Sequence, residues 1–213
     1  MICVSLGNID FQSALKVAET AGMIEIRGDL LSWSREEYAM IIGMARKSVF
    51  TYRPGEHETE TERLDLYRFA VDNGVDYIDV EMDASPEFIK TLRQYTRNLK
   101  TEMIISYHNF DGTPSVAEMK VIMGQCLNSG ADVVKIATMV NEYADAAGLL
   151  SLYREPGRKV ILGMGEKGKI VRIASEFLGG EFTFAAPDKG GITAPGQLTV
   201  SEMELIINMI KPI

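Results

Sequence analysis

Eight times over, a short run of apolar and β-branched residues is followed by a longer amphipathic segment, and that alternation admits few folds. The runs are Ile2 to Leu6, Met23 to Arg27, Ser48 to Arg53, Tyr77 to Met82, Glu102 to His108, Val133 to Thr138, Lys159 to Gly163 and Phe182 to Ala186. Each has strand length. Helical segments are predicted near 11–22, 34–46, 59–73, 85–99, 114–128, 141–153, 168–178 and 199–210. Ser34, Ser85 before Pro86, and Ser201 before Glu202 read as start signals, and Gly22, Gly74 and Gly130 as stop signals. Met119, Met123 and Leu127 share a helical stripe and are expected in the core. Strands alternating with helices pair in parallel and need cover on both faces. Eight units is the count that closes a (β/α)8 TIM barrel, and 213 residues lies near the short end of that fold's range. One compact α/β domain spanning 1–213 is therefore expected. A doubly wound open sheet is the alternative, but Gly7-Asn8-Ile9-Asp10 after the first run lacks the G-x-G-x-x-G turn of dinucleotide sites.

Charge narrows the partners. A formal net charge of −8 disfavours nucleic acid and anionic membranes, both of which need a broad basic footprint. A small anionic substrate would need only a local arginine. Cys3 and Cys126 show neither metal-ligand spacing nor a disulfide framework, so both read as reduced, packed thiols. The amino terminus carries no signal-peptide pattern and no apolar run reaches the length of a membrane span, which gives the expectation of a soluble, cytoplasmic protein.

In a barrel of this kind the active site lies at the carboxyl ends of the strands, and polar residues collect there. The second run ends in Glu25-Ile26-Arg27, the third in Thr51-Tyr52-Arg53, the fourth in Asp79-Val80-Glu81 and the fifth in His108, one of only two histidines. The sixth run, Val133-Val134-Lys135-Ile136-Ala137, puts an ammonium among apolar neighbours. Burying it unpaired costs several kcal/mol; the escape is a partner such as Glu25 or Glu81, or loss of the proton to give a nucleophilic amine. Such an amine can form a Schiff base with a carbonyl compound. Arg172 follows the seventh run, and Gly190-Gly191-Ile192-Thr193-Ala194-Pro195-Gly196-Gln197 follows the eighth. Gly163-Met164-Gly165-Glu166-Lys167-Gly168 reads as a tight turn that aims Arg172 rather than as a phosphate loop.

These segments, in this order, resemble the type I 3-dehydroquinate dehydratases of the shikimate pathway nearly from end to end. The carriers are Glu25-Ile26-Arg27-Gly28-Asp29, Thr51-Tyr52-Arg53, Asp79-Val80-Glu81, Ser106-Tyr107-His108-Asn109-Phe110 with Thr113-Pro114, Lys135-Ile136-Ala137, Arg172, and Ala194-Pro195-Gly196-Gln197. The resemblance implies a hydro-lyase in which Lys135 forms an imine with the C3 carbonyl of 3-dehydroquinate and His108 serves as base and then acid. It implies that Glu81 orients His108 or pairs with an arginine, that Arg172 clamps the substrate carboxylate, and that Glu25, Arg27, Arg53 and Gln197 hold ring hydroxyls. Thr193 stands where the family usually has serine and keeps the hydroxyl contact. No metal and no dissociable cofactor is implied, and a homodimer is.

Two segments depart from the family pattern. Pro54-Gly55-Glu56-His57-Glu58 follows the strand-three arginine where an acidic residue and glycines are usual, which leaves open which of Glu56, His57 and Glu58 supports the site. Gly190 and Gly191 make the eighth loop a candidate lid. Two other functions compete. A class I aldolase would also use a strand-six lysine but wants a phosphate site at loops seven and eight, and a barrel without turnover would keep the pocket as a binding module.

Overall fold

The computed structural model describes residues 1–55, 59–189 and 191–211. Eight parallel strands, β1 (Ile2–Leu6), β2 (Ile24–Arg27), β3 (Ser48–Thr51), β4 (Tyr77–Glu81), β5 (Glu102–Asn109), β6 (Val133–Met139), β7 (Lys159–Met164) and β8 (Thr183–Ala185), pair in the order β7-β6-β5-β4-β3-β2-β1-β8. The Glu181 N–H donates to the Lys159 carbonyl at 2.9 Å across the remaining seam, so the sheet is a nearly closed barrel. Helices α1 (Phe11–Thr20), α2 (Arg35–Met44), α3 (Glu60–Asp72), α4 (Pro86–Thr96), α5 (Val116–Asn128), α6 (Tyr143–Ser151), α7 (Lys169–Ala174) and α8 (Val200–Ile210) follow the strands in turn. The (β/α)8 class expected from the alternation is the fold observed.

Local chemistry explains the boundaries. Ser34 and Glu37 form a reciprocal capping box at α2, and the Ser85 hydroxyl accepts the Phe88 N–H with Pro86 in the first turn of α4. Each such cap contributes about 1 kcal/mol. Gly74 and Gly130 close α3 and α5 with φ of +87° and +97°, whereas the chain leaves α1 extended at Ala21, so Gly22 is not the stop. The α8 start also differs from expectation. Thr199 is its cap and Glu202 completes the box, while the Ser201 hydroxyl turns to Asp188 at 2.6 Å. Strand β8 is shorter than its apolar run because Ala186 bonds instead to Leu198 and Val200, in the segment leading into α8.

The helices bury stripes against the barrel. In α4 these are Phe88, Ile89, Leu92 and Thr96, and each large apolar side chain contributes about 1.5–3 kcal/mol when fully buried. In α5 Met119, Met123 and Cys126 are buried, but Leu127 is exposed. The stripe repeats at i, i+4, i+7, and Leu127 lies one residue past it. Inside the barrel, period-two alternation sets the lining. Cys3, Met23, Val49, Tyr77, Ile104 and Val133 make an apolar floor, and the residues two positions further along the chain, Ser5, Glu25, Thr51, Asp79, Ser106 and Lys135, make a polar layer above it.

Candidate active site

That polar layer surrounds a cavity of about 530 Å³ at the carboxyl ends of the strands, lined among others by Lys135, His108, Arg172, Glu25, Arg27 and Gln197. The volume suits a small ring. Lys135 lies two residues beyond the floor position of β6 and is 4% exposed. Its Nζ donates to Asp79 Oδ2 at 2.6 Å and stands 4.4 Å from the centre of the Phe184 ring. The partner is therefore Asp79, not Glu25 or Glu81. Asp79 is fully buried; it accepts the Ser106 hydroxyl at 2.6 Å and Arg53 Nη2 at 3.0 Å. Burial alone would raise its pKa, but the charges of Arg53 and Lys135 hold the carboxyl well below the usual carboxylate range.

Arg53 connects this pair to the histidine. Its Nη1 bonds Glu81 Oε1 at 2.8 Å and the Ser106 hydroxyl at 3.1 Å, and Glu81 Oε2 lies 3.0 Å from His108 Nδ1. With a carboxylate at Nδ1, that nitrogen carries the proton and Nε2 keeps its lone pair. Burial and then the Arg53 charge lower the His108 pKa from its ordinary value, and the bond to Glu81 partly offsets them. The imidazole is therefore neutral near pH 7 and able to take a proton. Glu81→Gln removes the offsetting carboxylate, so the acid limb of kcat/KM is expected at lower pH than in the wild type. Loss of orientation should also lower kcat by about 10-fold. A pH–rate profile checks both.

The remaining predicted residues divide by their partners. Buried Glu25 accepts hydroxyl bonds from Ser5 at 2.7 Å and Thr51 at 2.8 Å and faces the cavity. Arg27 grips Asp29 through two bonds, at 3.0 and 2.7 Å. Gln197 Oε1 accepts the Thr193 N–H at 3.0 Å and its hydroxyl at 3.1 Å, and Gln197 Nε2 donates to Ser5 at 3.4 Å. The Gly165 N–H bonds the Pro195 carbonyl at 3.1 Å, and a Cβ at Gly196 would overlap the Gly165 carbonyl. That contact seats the eighth loop, with Thr193 and Gln197, against the seventh. Arg53 spends at least three donors on Asp79, Glu81 and Ser106, so it organises the site as well as facing the cavity.

Arg172, on α7, is 1% exposed and lines the same cavity. Among the described residues it has no carboxylate partner; Nε is unbonded and Nη1 only approaches the Phe184 carbonyl at 3.5 Å. Burial pulls its pKa down to about 10. A buried guanidinium without a counter-ion is costly, and an anionic ligand would supply one. Asp79, Ser5, Thr51 and Ser106 also belong to the site, although none of them is among the catalytic and binding residues expected from the sequence. The available signal was strand period: Asp79 is two residues before Glu81, and Ser106 two before His108, so each pair shares the inner face. Glu56, His57, Glu58 and Gly190 lie outside the described residues.

A parallel (β/α)8 barrel whose interior collects a paired lysine, a carboxylate-bound histidine and an arginine without a carboxylate partner among the described residues, around one small cavity, defines an enzyme acting on a small anionic substrate. The family model for type I 3-dehydroquinase matches residues 2–213. The 3-dehydroquinate dehydratase of Desulfotalea psychrophila is 35% identical over 214 residues, covering 95% of this chain and 94% of its own. That of Methanocaldococcus jannaschii is 33% identical over 220 residues, covering 97% of each. The crystal structure of the 3-dehydroquinate dehydratase from Aquifex aeolicus superposes with a TM-score of 0.84 at 28% identity over the whole of both chains. The chain belongs to the type I 3-dehydroquinase family, and its activity is that of a hydro-lyase, the removal of water from 3-dehydroquinate.

Proposed function

We propose that Lys135 is the imine-forming nucleophile and His108 the proton carrier of this dehydration. The Lys135 ammonium releases one proton, the free amine adds to the C3 carbonyl, and a proton returned to the carbinolamine hydroxyl lets it leave as water, giving an iminium. His108 takes the C2 proton, leaving an enamine. The enamine expels the C1 hydroxyl, which accepts the proton from His108 and departs as water, and hydrolysis of the conjugated iminium frees 3-dehydroshikimate and the amine. Asp79, 2.6 Å from Nζ, supplies an anion beside the positive nitrogen of every iminium state, which favours electron withdrawal from C2.

The observation that carries the reading is Arg172: a buried guanidinium with no carboxylate partner among the described residues, in the same cavity as the lysine, fits a substrate with one carboxylate. Glu25, Arg27, Arg53, Thr193 and Gln197 surround the space left for ring hydroxyls. Arg172→Gln is expected to raise KM by about 100-fold with a smaller change in kcat, as loss of a charge-assisted bidentate contact requires. Because the cation has no carboxylate partner among the described residues, the unfolding temperature should hold or rise. Steady-state kinetics and a thermal scan check the two halves.

The reading also includes a homodimer and a cytoplasmic location. Exposed Leu205, Met209 and Ile210 on α8 support the first, and the two free buried thiols support the second. Light scattering tests the dimer. The function itself is tested by incubation with 3-dehydroquinate. Appearance of the near-ultraviolet absorption of a conjugated enone supports the reading. Its absence, or cleavage of a sugar phosphate instead, would transfer the assignment to another reaction.

A further inference from the structure

Strands β3 and β4 part where the site needs them fixed. Their last paired residues are Thr51 and Asp79, and from there Arg53 turns inward to Asp79, Ser106 and Glu81. On the outer side of the wall, at this point, stands the phenol of Tyr67 from α3, fully buried between the rings of Phe50 and Phe88. Its oxygen accepts the Tyr52 N–H at 3.1 Å and lies 2.7 Å from the Asp79 carbonyl, with the Tyr52 carbonyl at 3.2 Å. A phenol has one proton to donate, and the shorter contact assigns it to Asp79. The hydroxyl thus ties the residue preceding Arg53 to the main chain of Asp79, the partner of Lys135. Burial raises the phenol's pKa, so it stays a donor throughout the working pH range.

We propose that Tyr67 is a positioning residue for the dehydration: through main-chain bonds made outside the barrel it fixes where Arg53 and Asp79 meet Lys135 and the Glu81–His108 couple. A network that combines a nucleophile, its counter-ion and a histidine loses rate when a strand end shifts by a fraction of an ångström. The proposal rests on the assignment of Lys135 and His108 above. That assignment fails if the wild type yields no borohydride-trapped adduct, whereas the role of Tyr67 can fail with the adduct intact.

Tyr67→Phe keeps the ring packing and removes the hydroxyl. The expected result is a fall in kcat of about 10-fold, with the acid limb of kcat/KM moved upward because the Arg53 charge no longer sits where it depresses His108. Thr101→Val is the control. It deletes a buried hydroxyl bond to the Val75 carbonyl, 2.7 Å long, before the start of β5 and remote from the cavity, and should lower the unfolding temperature while leaving both readouts unchanged. Should Tyr67→Phe not accumulate folded, 4-fluorophenylalanine at position 67, which fills the volume of the hydroxyl but has no proton to donate, carries the same two readouts. Wild-type kcat or an unmoved acid limb in the folded variant overturns the proposal, as does an equal change in Thr101→Val.

Discussion

Lys135→Met is expected to lower kcat by about 10⁴-fold or more, equivalent to about 5 kcal/mol of transition-state stabilisation, while the protein still folds. The size follows from the chemistry. Without an amine no iminium forms, and the C2 proton of a plain ketone is far less acidic than that of a cationic imine. The survival of the fold follows from the partners of Asp79. Its carboxylate keeps Arg53 at 3.0 Å and Ser106 at 2.6 Å after the lysine is gone, so the cost is smaller than the roughly 3–5 kcal/mol of stranding a buried charge altogether. Methionine also fills the volume against Phe184. Measured kcat with a thermal scan separates loss of chemistry from loss of fold.

His108→Ala should cost about 10²–10⁴ in kcat, the range for removing a positioned acid–base group, while imine formation persists. Borohydride should therefore still trap the substrate on the lysine in this variant, and product should accumulate slowly. The wild-type pH profile follows from the direction of the shift. The free imidazole must be neutral to accept the C2 proton, and burial with the Arg53 charge places its pKa below the ordinary 6.5. As pH falls, the acid limb of kcat/KM should have its midpoint below 6.5, where His108 becomes protonated. An acid limb centred above 6.5 would contradict the electrostatics of this site.

Much of this site is legible in the chain because strands impose a two-residue period and barrels put their chemistry at one end. Lys135, His108, Glu81 and Glu25 stand out as polar residues in or just after apolar runs, and all four reach one cavity. Asp79 carries the same signal and was read only as part of a strand-end triplet, since its importance comes from the neighbouring strands that supply Lys135, Arg53 and Ser106. Partner choice is a property of three dimensions. The sequence offered Glu25 or Glu81 for the lysine, but Glu25 is occupied by two hydroxyls and Glu81 by Arg53 and His108. The isolation of Arg172 was equally hidden, because a missing counter-ion has no local signature. At the boundaries, Thr199 displaced Ser201 because Asp188, thirteen residues upstream, takes both the N–H and the hydroxyl of Ser201, while Thr199 and Glu202 close the capping box. Ala186 left the barrel because the segment before α8 offered its backbone a partner, a contact no local pattern encodes.

A covalent bond between Lys135 and the substrate is open to direct capture, by reduction with borohydride in the presence of 3-dehydroquinate followed by intact mass and peptide mapping. The expected result is a ligand-dependent mass gain in the wild type, located on the peptide bearing Lys135 and absent from Lys135→Met. Product formed at the full rate with no trapped adduct, or undiminished turnover by Lys135→Met, would contradict it.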